Sequence, residues 1–246
     1  MTVKRLYERV SLTQAPRQSS GPLYEAFLSS ARGDLHKWHH YFDVYERHLA
    51  RFRGRPFRFL EIGVFRGGSL HLWRDYFGPE ARIVGLDRDP SCARFDGAFG
   101  HVRIGDQADP GFLRAVLDEF GPFDAVLDDG GHTAQQQIVS FEVLYPELAA
   151  DGVYLCEDTH TSYWKNFQDS KEHTSFTELA LRIANGLTAA LHADPKSFRR
   201  YGEPPGQRAG SVEVPRVSAT THSVAFYDSM IVFEKRPRPE PWHEIR

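Results

Sequence analysis

The chain has 246 residues, 41% hydrophobic and 26% charged, with 30 basic against 33 acidic side chains and a formal net charge of −3. That length suffices for one α/β domain with a sizeable core, and the near-balance of charge leaves no electrostatic footprint for nucleic acid. No apolar run is long enough to cross a bilayer, the opening MTVKRLYERVSLTQ lacks the apolar stretch of a secretory leader, and the two cysteines, Cys92 and Cys156, show no metal-type spacing, which together point to a reducing, cytoplasmic setting without a membrane partner.

In chain order, the first twenty residues carry Gln, Ser and Pro and are expected to form a poorly ordered arm. Leu23 to Arg32 and Phe42 to Phe52 read as amphipathic helices. Residues 1–55 are therefore expected to form an arm and helical cap, and residues 56–246 a single folded unit. Strands are expected at Phe57–Val64, Arg82–Asp87, His101–Gly105, Phe123–Asp128 and Gly152–Glu157, with helices at Ser69–Phe77, Phe112–Phe120 and Thr133–Leu148. Short strands separated by single helices predict a mostly parallel sheet with right-handed crossovers. Thr174–Leu191 reads as another long helix, and the Pro-, Gly- and Arg-rich stretch from Asp194 to Pro215 as a loop, either a lid or a plain connection. Val217–Tyr227 and Met230–Lys235 are β-rich and separated only by Asp228 and Ser229, which predicts an antiparallel hairpin at the sheet edge. The sum is a seven-stranded, Rossmann-like α/β sheet, mostly parallel with an antiparallel C-terminal hairpin and a helical N-terminal extension, the shape of class I methyltransferases.

The first strand leads into FRFLEIGVFRGGSL. Gly63 and Gly67 let a ligand approach the backbone, and Ser69 opens a helix whose N-terminus favours negative ligand groups. The turn departs from the G-x-G-x-x-G of dinucleotide folds. Glu61 at the strand end suits a cofactor with a positive amine and sulfonium, such as S-adenosylmethionine; a solvated Glu at a strand–helix junction is the plainer alternative. Asp87, ending the second strand in GLDRDP, stands where doubly wound folds place an acceptor for ribose hydroxyls. In IGDQADP, Asp106 and Gln107 are candidates to contact the adenine, while Asp109 and Pro110 look like a helix start with Asp109 as N-cap.

The fourth strand runs into FDAVLDDGGHT and the fifth into GVYLCEDTHTSYW. In a parallel sheet both ends open onto one crevice. The converging carboxylates would repel and resist ionisation, a conflict that a divalent cation resolves. Oxygen ligands select a hard ion, Mg²⁺ first. Coordination would ease deprotonation of an acceptor hydroxyl, and His132, three residues after Asp129, could take that proton as general base or could cap the helix beginning near Thr133.

Taken together, the E-I-G turn, GLDRDP, GDQADP, DDGGH and EDTHTSYW resemble the metal-dependent sugar O-methyltransferases of antibiotic biosynthesis, mycinamicin rhamnose methylation among them, and the related cephalosporin hydroxylase-like family. The match runs from about Asp34 to Arg236. The resemblance implies methyl transfer from S-adenosylmethionine to a sugar hydroxyl, with Asp129, Glu157 and Asp158 holding Mg²⁺, Asp129 and His132 as the catalytic pair, and a homo-oligomer. The acceptor could be a natural-product deoxysugar, a nucleotide sugar or an oligosaccharide. It leaves Asp128 to hold either the loop or the cofactor. Family members often carry a serine where Gly131 stands here.

On the acceptor side, Lys37, His40 and Tyr41 in DLHKWHHYFDVYERH are candidates to cover the cofactor and acceptor, against ordinary helix packing. Tyr163 and Trp164 could stack on a sugar ring or pack. Two other classes stand beside this reading: a nicotinamide-dependent oxidoreductase, disfavoured by the absent G-x-G-x-x-G, and a non-catalytic scaffold that keeps the fold.

Overall fold

The computed structural model describes residues 9, 11–12, 19–30, 35–170, 175–192, 200–204, 206–208, 210–244 and 246. Most of the expected N-terminal arm, Arg32, Asp34, Thr174 and much of the 194–215 stretch therefore lie outside the described residues.

Seven strands form one sheet: β1 (Phe57–Ile62), β2 (Ala81–Asp87), β3 (His101–Ile104), β4 (Ala125–Asp128), β5 (Val153–Cys156), β6 (Thr221–Tyr227) and β7 (Met230–Lys235), in the order β3-β2-β1-β4-β5-β7-β6. The first five run parallel, and β7 is antiparallel to both β5 and β6. Strand order reverses between β1 and β4, and ligand crevices of open α/β sheets form at such a point, beyond the carboxyl ends of the strands.

The period of two along each strand sorts the core into two layers. Phe57, Phe59, Ala125, Leu127, Val153 and Leu155 face one side, where α1 (Pro22–Ser29), α2 (His39–Leu49) and α3 (Gly68–Phe77) supply Leu23, Phe42, Tyr45, Trp73 and Phe77. Leu60, Ile62, Val126, Tyr154 and Cys156 face the other side, against α4 (Pro110–Phe120), α5 (Ala134–Leu144) and α6 (Phe176–Gly186). Central strands buried on both faces explain their near-continuous apolar runs. The α2 helix packs into the first layer through Tyr41, Phe42, Val44, Tyr45 and Leu49, all buried.

Differences from the sequence-based expectations have local causes. The helix expected from Phe42 starts at His39 and ends at Leu49, with a 3-10 turn over Ala50–Phe52. That expected at Thr133–Leu148 has Thr133 as its N-cap and stops at Leu144, because Pro146 cannot continue it; Tyr145–Glu147 form a 3-10 turn. The long helix expected up to Leu191 breaks after Gly186 and resumes as α7 (Ala189–His192). The first four residues of the expected Val217–Tyr227 strand are helical: α8 (Arg216–Thr220) starts behind Pro215, whose carbonyl accepts from the Ala219 amide, and β6 begins only at Thr221. No helix of the described residues is long and apolar enough to cross a membrane.

Candidate active site and metal centre

A cavity of about 610 Å³ opens at the carboxyl ends of β1, β2 and β4. Its floor is the turn after β1. Gly63 has φ +100, and a Cβ there would fall 2.0 Å from the Asp129 carbonyl oxygen, so only glycine lets the β1 and β4 loops approach this closely. Gly67 caps α3 at φ +77, with the Phe95 ring where a Cβ would point. Asp87 braces the same turn: its Oδ2 accepts from the amides of Val64 (3.0 Å) and Phe65 (2.8 Å), and its Oδ1 from Asp89 (2.9 Å).

Of the residues expected to bind cofactor, Gly63, Ser69, Asp87, Asp106 and Gln107 line this cavity, whereas Glu61, Gly67 and Asp128 do not. Glu61 is fully buried and accepts from Ser69 Oγ and Trp73 Nε1, each at 2.8 Å. Burial pushes its carboxyl up to about 7, against the opposing pull of the Lys37 ammonium. It thus reaches the cavity through Ser69. Asp128 is also fully buried, accepting from Gln107 Nε2 (2.9 Å) and Tyr154 Oη (2.8 Å). Gln107 also accepts from the Gly131 amide at 2.8 Å, which ties the β3 loop to the β4 loop. Asp109 caps α4, its Oδ1 accepting from the Gly111 amide at 2.8 Å, with Pro110 as the first helical residue.

At the far rim, the ligand atoms of Asp129, His132 and Asp158 all lie within 4.8 Å of one another. His132 Nε2 is 3.7 Å from Asp129 Oδ1 and 3.6 Å from Asp158 Oδ2. Both His132 (φ +58) and Asp158 (φ +52) hold left-handed backbone conformations, and the Thr161 hydroxyl clips the loops together, its single proton shared between their two carbonyls, each 2.9 Å from Oγ1. Capping of α5 is done by Thr133, whose Oγ1 accepts from the Gln136 amide while Gln136 Oε1 accepts from the Thr133 amide. The His132 imidazole therefore has no capping duty.

Glu157 stands apart from this trio. It is buried, and its carboxylate accepts from Lys37 Nζ at 2.9 and 3.2 Å and from the Tyr45 hydroxyl. Burial and the Asp129 charge push its carboxyl up, and the Lys37 ammonium pulls it back. Lys37 also donates to Asp129 Oδ2 at 2.5 Å. Although burial opposes its charge, Asp129 and Glu157 hold it well above the ordinary lysine range. Tyr41 donates to Asp158 Oδ1 at 2.6 Å.

Lys37 and Tyr41 thus meet the carboxylates directly. Tyr45, not singled out from the sequence, also reaches Glu157; it sits one helical turn after Tyr41 on the same face of α2. His40 is exposed and edge-on to Tyr41, with ring centroids 4.7 Å apart. Tyr163 and Trp164 are exposed outside the cavity wall, and Trp164 meets His160 and Phe167 edge-on. Phe65, Arg88 and Gln136 line the cavity without having been singled out from the sequence.

The carboxylates fit a hard divalent cation: part-buried Asp129 and Asp158 converge, with Glu157 one residue away along the chain, and the His132 imidazole stands beside this oxygen set. Three acidic side chains face a single ammonium there, so net negative charge remains for a cation to neutralise.

No protein-family model matches the chain. It is 37% identical over 188 residues to 8-demethyl-8-(2-methoxy-alpha-L-rhamnosyl)-tetracenomycin-C 3'-O-methyltransferase of Streptomyces olivaceus, covering 74% of this chain and 48% of the relative. It is 37% identical over 197 residues to mycinamicin VI 2''-O-methyltransferase of Micromonospora griseorubida, covering 75% and 46%. Among solved structures, the MycE methyltransferase of the mycinamycin pathway in complex with Mg, SAH and mycinamycin VI superposes with a TM-score of 0.72 at 26% identity, over 90% of this chain and 55% of that one. The chain spans about half the length of the curated relatives it matches. By sequence and by its seven-stranded sheet, the chain has a class I methyltransferase fold and is similar, over about half of their length, to sugar O-methyltransferases of antibiotic pathways.

Proposed function

We propose that the chain transfers a methyl group from S-adenosylmethionine to a hydroxyl of a sugar, with Mg²⁺ held by Asp129, Asp158 and, on rearrangement of its contacts, Glu157. The observation that carries this reading is the convergence of Asp129, His132 and Asp158 at the rim of the same cavity that Gly63, Asp87 and Gln107 line. In this reading residues 56–246 form the methyltransferase unit, and the segment before them is a helical cap whose Lys37 and Tyr41 reach the site. The acceptor class is a sugar carried by a natural product, a nucleotide or an oligosaccharide.

A divalent ion, when bound, makes an acceptor hydroxyl more acidic and fixes its direction. The residues of this chain do the rest. Gly63 and the α3 N-terminus admit the cofactor's backbone-sized groups, and Asp87 and Asp106 stand for its ribose and adenine side. His132 Nε2 takes the hydroxyl proton while the acceptor oxygen bonds to the methyl carbon; the carbon–sulfur bond breaks and S-adenosylhomocysteine leaves with the bonding pair. In-line placement of oxygen, carbon and sulfur supplies much of the rate. The Thr161 clip holds the His132 and Asp158 loops in register for that geometry.

The test is formation of S-adenosylhomocysteine from S-adenosylmethionine and rhamnosylated acceptors. Turnover should vanish in excess chelator and return with Mg²⁺. Full activity in chelator would remove the metal from the reading, and tight binding of a nicotinamide cofactor with none of S-adenosylmethionine would end it.

A further inference from the structure

The segment 35–38 runs over the cavity just before α2, and Leu35, His36 and Lys37 all line the wall. Lys37 alone crosses to the carboxylates. Its side chain is 4% exposed, 2.5 Å from Asp129 Oδ2 and 2.9 Å from Glu157 Oε1. With the Tyr45 hydroxyl also on Oε1 and Nζ within 3.2 Å of Oε2, both Glu157 oxygens are occupied by donors. A lysine buried between two carboxylates makes strong charge-assisted bonds, and an ion seeking the same oxygens must displace it. Asp129 offers Oδ1 toward His132 while Oδ2 faces Lys37. The acidic set is thereby split between a resident ammonium and a convergent trio.

We propose that Lys37 is a built-in counter-cation that competes with the divalent ion for Asp129 and Glu157, so that metal capture through Glu157 and seating of segment 35–38 over the cavity oppose each other. This rests on the proposed divalent-ion role of the carboxylates. Because coupling between two binding events is reciprocal, the ion should loosen the segment by as much as the seated ammonium weakens the ion. Lys37 acts here as a positioning residue, holding Glu157 in reserve.

The experiment is equilibrium binding of Mn²⁺, read from the paramagnetic resonance signal of the free ion, to cofactor-free wild type, Lys37→Met and Lys37→Arg. Lys37→Met should bind at least about tenfold more tightly, a gain of about 1.4 kcal/mol, and Lys37→Arg, which keeps the charge, should show no gain. Amide hydrogen exchange across residues 35–38 of the wild type should quicken when Mg²⁺ is added. This second measurement decides the matter if Lys37→Met fails to fold. Wild-type binding with no gain in Lys37→Met, or exchange that slows with Mg²⁺, would overturn the competition while leaving the metal role intact. Absence of Mn²⁺ binding in every variant would overturn both.

Discussion

The carboxamide of Gln107 donates to the carboxylate of Asp128 across 2.9 Å, in a buried pair beneath the loop that carries Asp129. Adjacent acidic residues therefore have separate duties. Asp128→Ala should leave Gln107 Nε2 and the Tyr154 hydroxyl without their acceptor and cost about 2–5 kcal/mol of stability. Asp129→Ala should abolish turnover and, because Glu157 still holds the Lys37 ammonium, cost less stability than Asp128→Ala. Denaturant melts and initial rates on the two variants check this. Equal thermal losses, or an active Asp129→Ala, would contradict the division.

His132→Ala should lower kcat by roughly 10²–10⁴-fold, the range for loss of a general base, with little change in S-adenosylmethionine affinity. Calorimetric cofactor binding beside single-turnover rates separates the two effects. An unchanged rate would remove His132 as the base, and a large loss of Mn²⁺ affinity with it would assign the imidazole to the metal instead.

Asp87→Ala removes the acceptor for the Val64 and Phe65 amides as well as the residue proposed to face a ribose. Each lost bond to a charged group costs about 1.5–3 kcal/mol, so cofactor affinity should fall at least about tenfold, with quicker amide exchange at Val64 and Phe65. Retained affinity would show that the turn is held without it.

Glu61 gives a pH signature in the cofactor-free protein. Burial raises its folded carboxyl from 4.5 to about 7. Between these values the folded state keeps a proton that the unfolded chain has released, so stability falls as pH rises through this window. The drop is bounded at about 3 kcal/mol. Glu61→Gln should flatten it, while its amide still serves Trp73 and Ser69. Urea melts from pH 5 to 8 on both proteins provide the measurement; parallel slopes would refute it.

The parallel strands were legible because a strand buried on both faces must be apolar almost throughout, as in FRFLEI and AVLD. The hairpin was legible because only Asp228 and Ser229 separate its strands. Carboxylates at the ends of β4 and β5 marked the crevice for the same topological reason. Contacts across the chain were not legible. The seat of Lys37 joins residues 92 and 120 positions apart, and neither pattern nor spacing says which of Glu157 and Asp158 an ammonium will take. That residue 131 is glycine has a local cause visible only in three dimensions: a Cβ there would fall 2.2 Å from Gln136 Oε1, the atom that closes the α5 cap.

Four non-glycine residues among those described, Phe65, His132, Asp158 and Ser229, carry left-handed backbone, and the first three line one cavity. Such conformations cost on the order of 1–3 kcal/mol each and persist where surroundings impose them. Evolution toward heat resistance and evolution toward the proposed methyl transfer would thus pull on the same codons in opposite directions. A library sorted for solubility alone should drift to glycine at 132 and 158, gaining robustness as it goes silent.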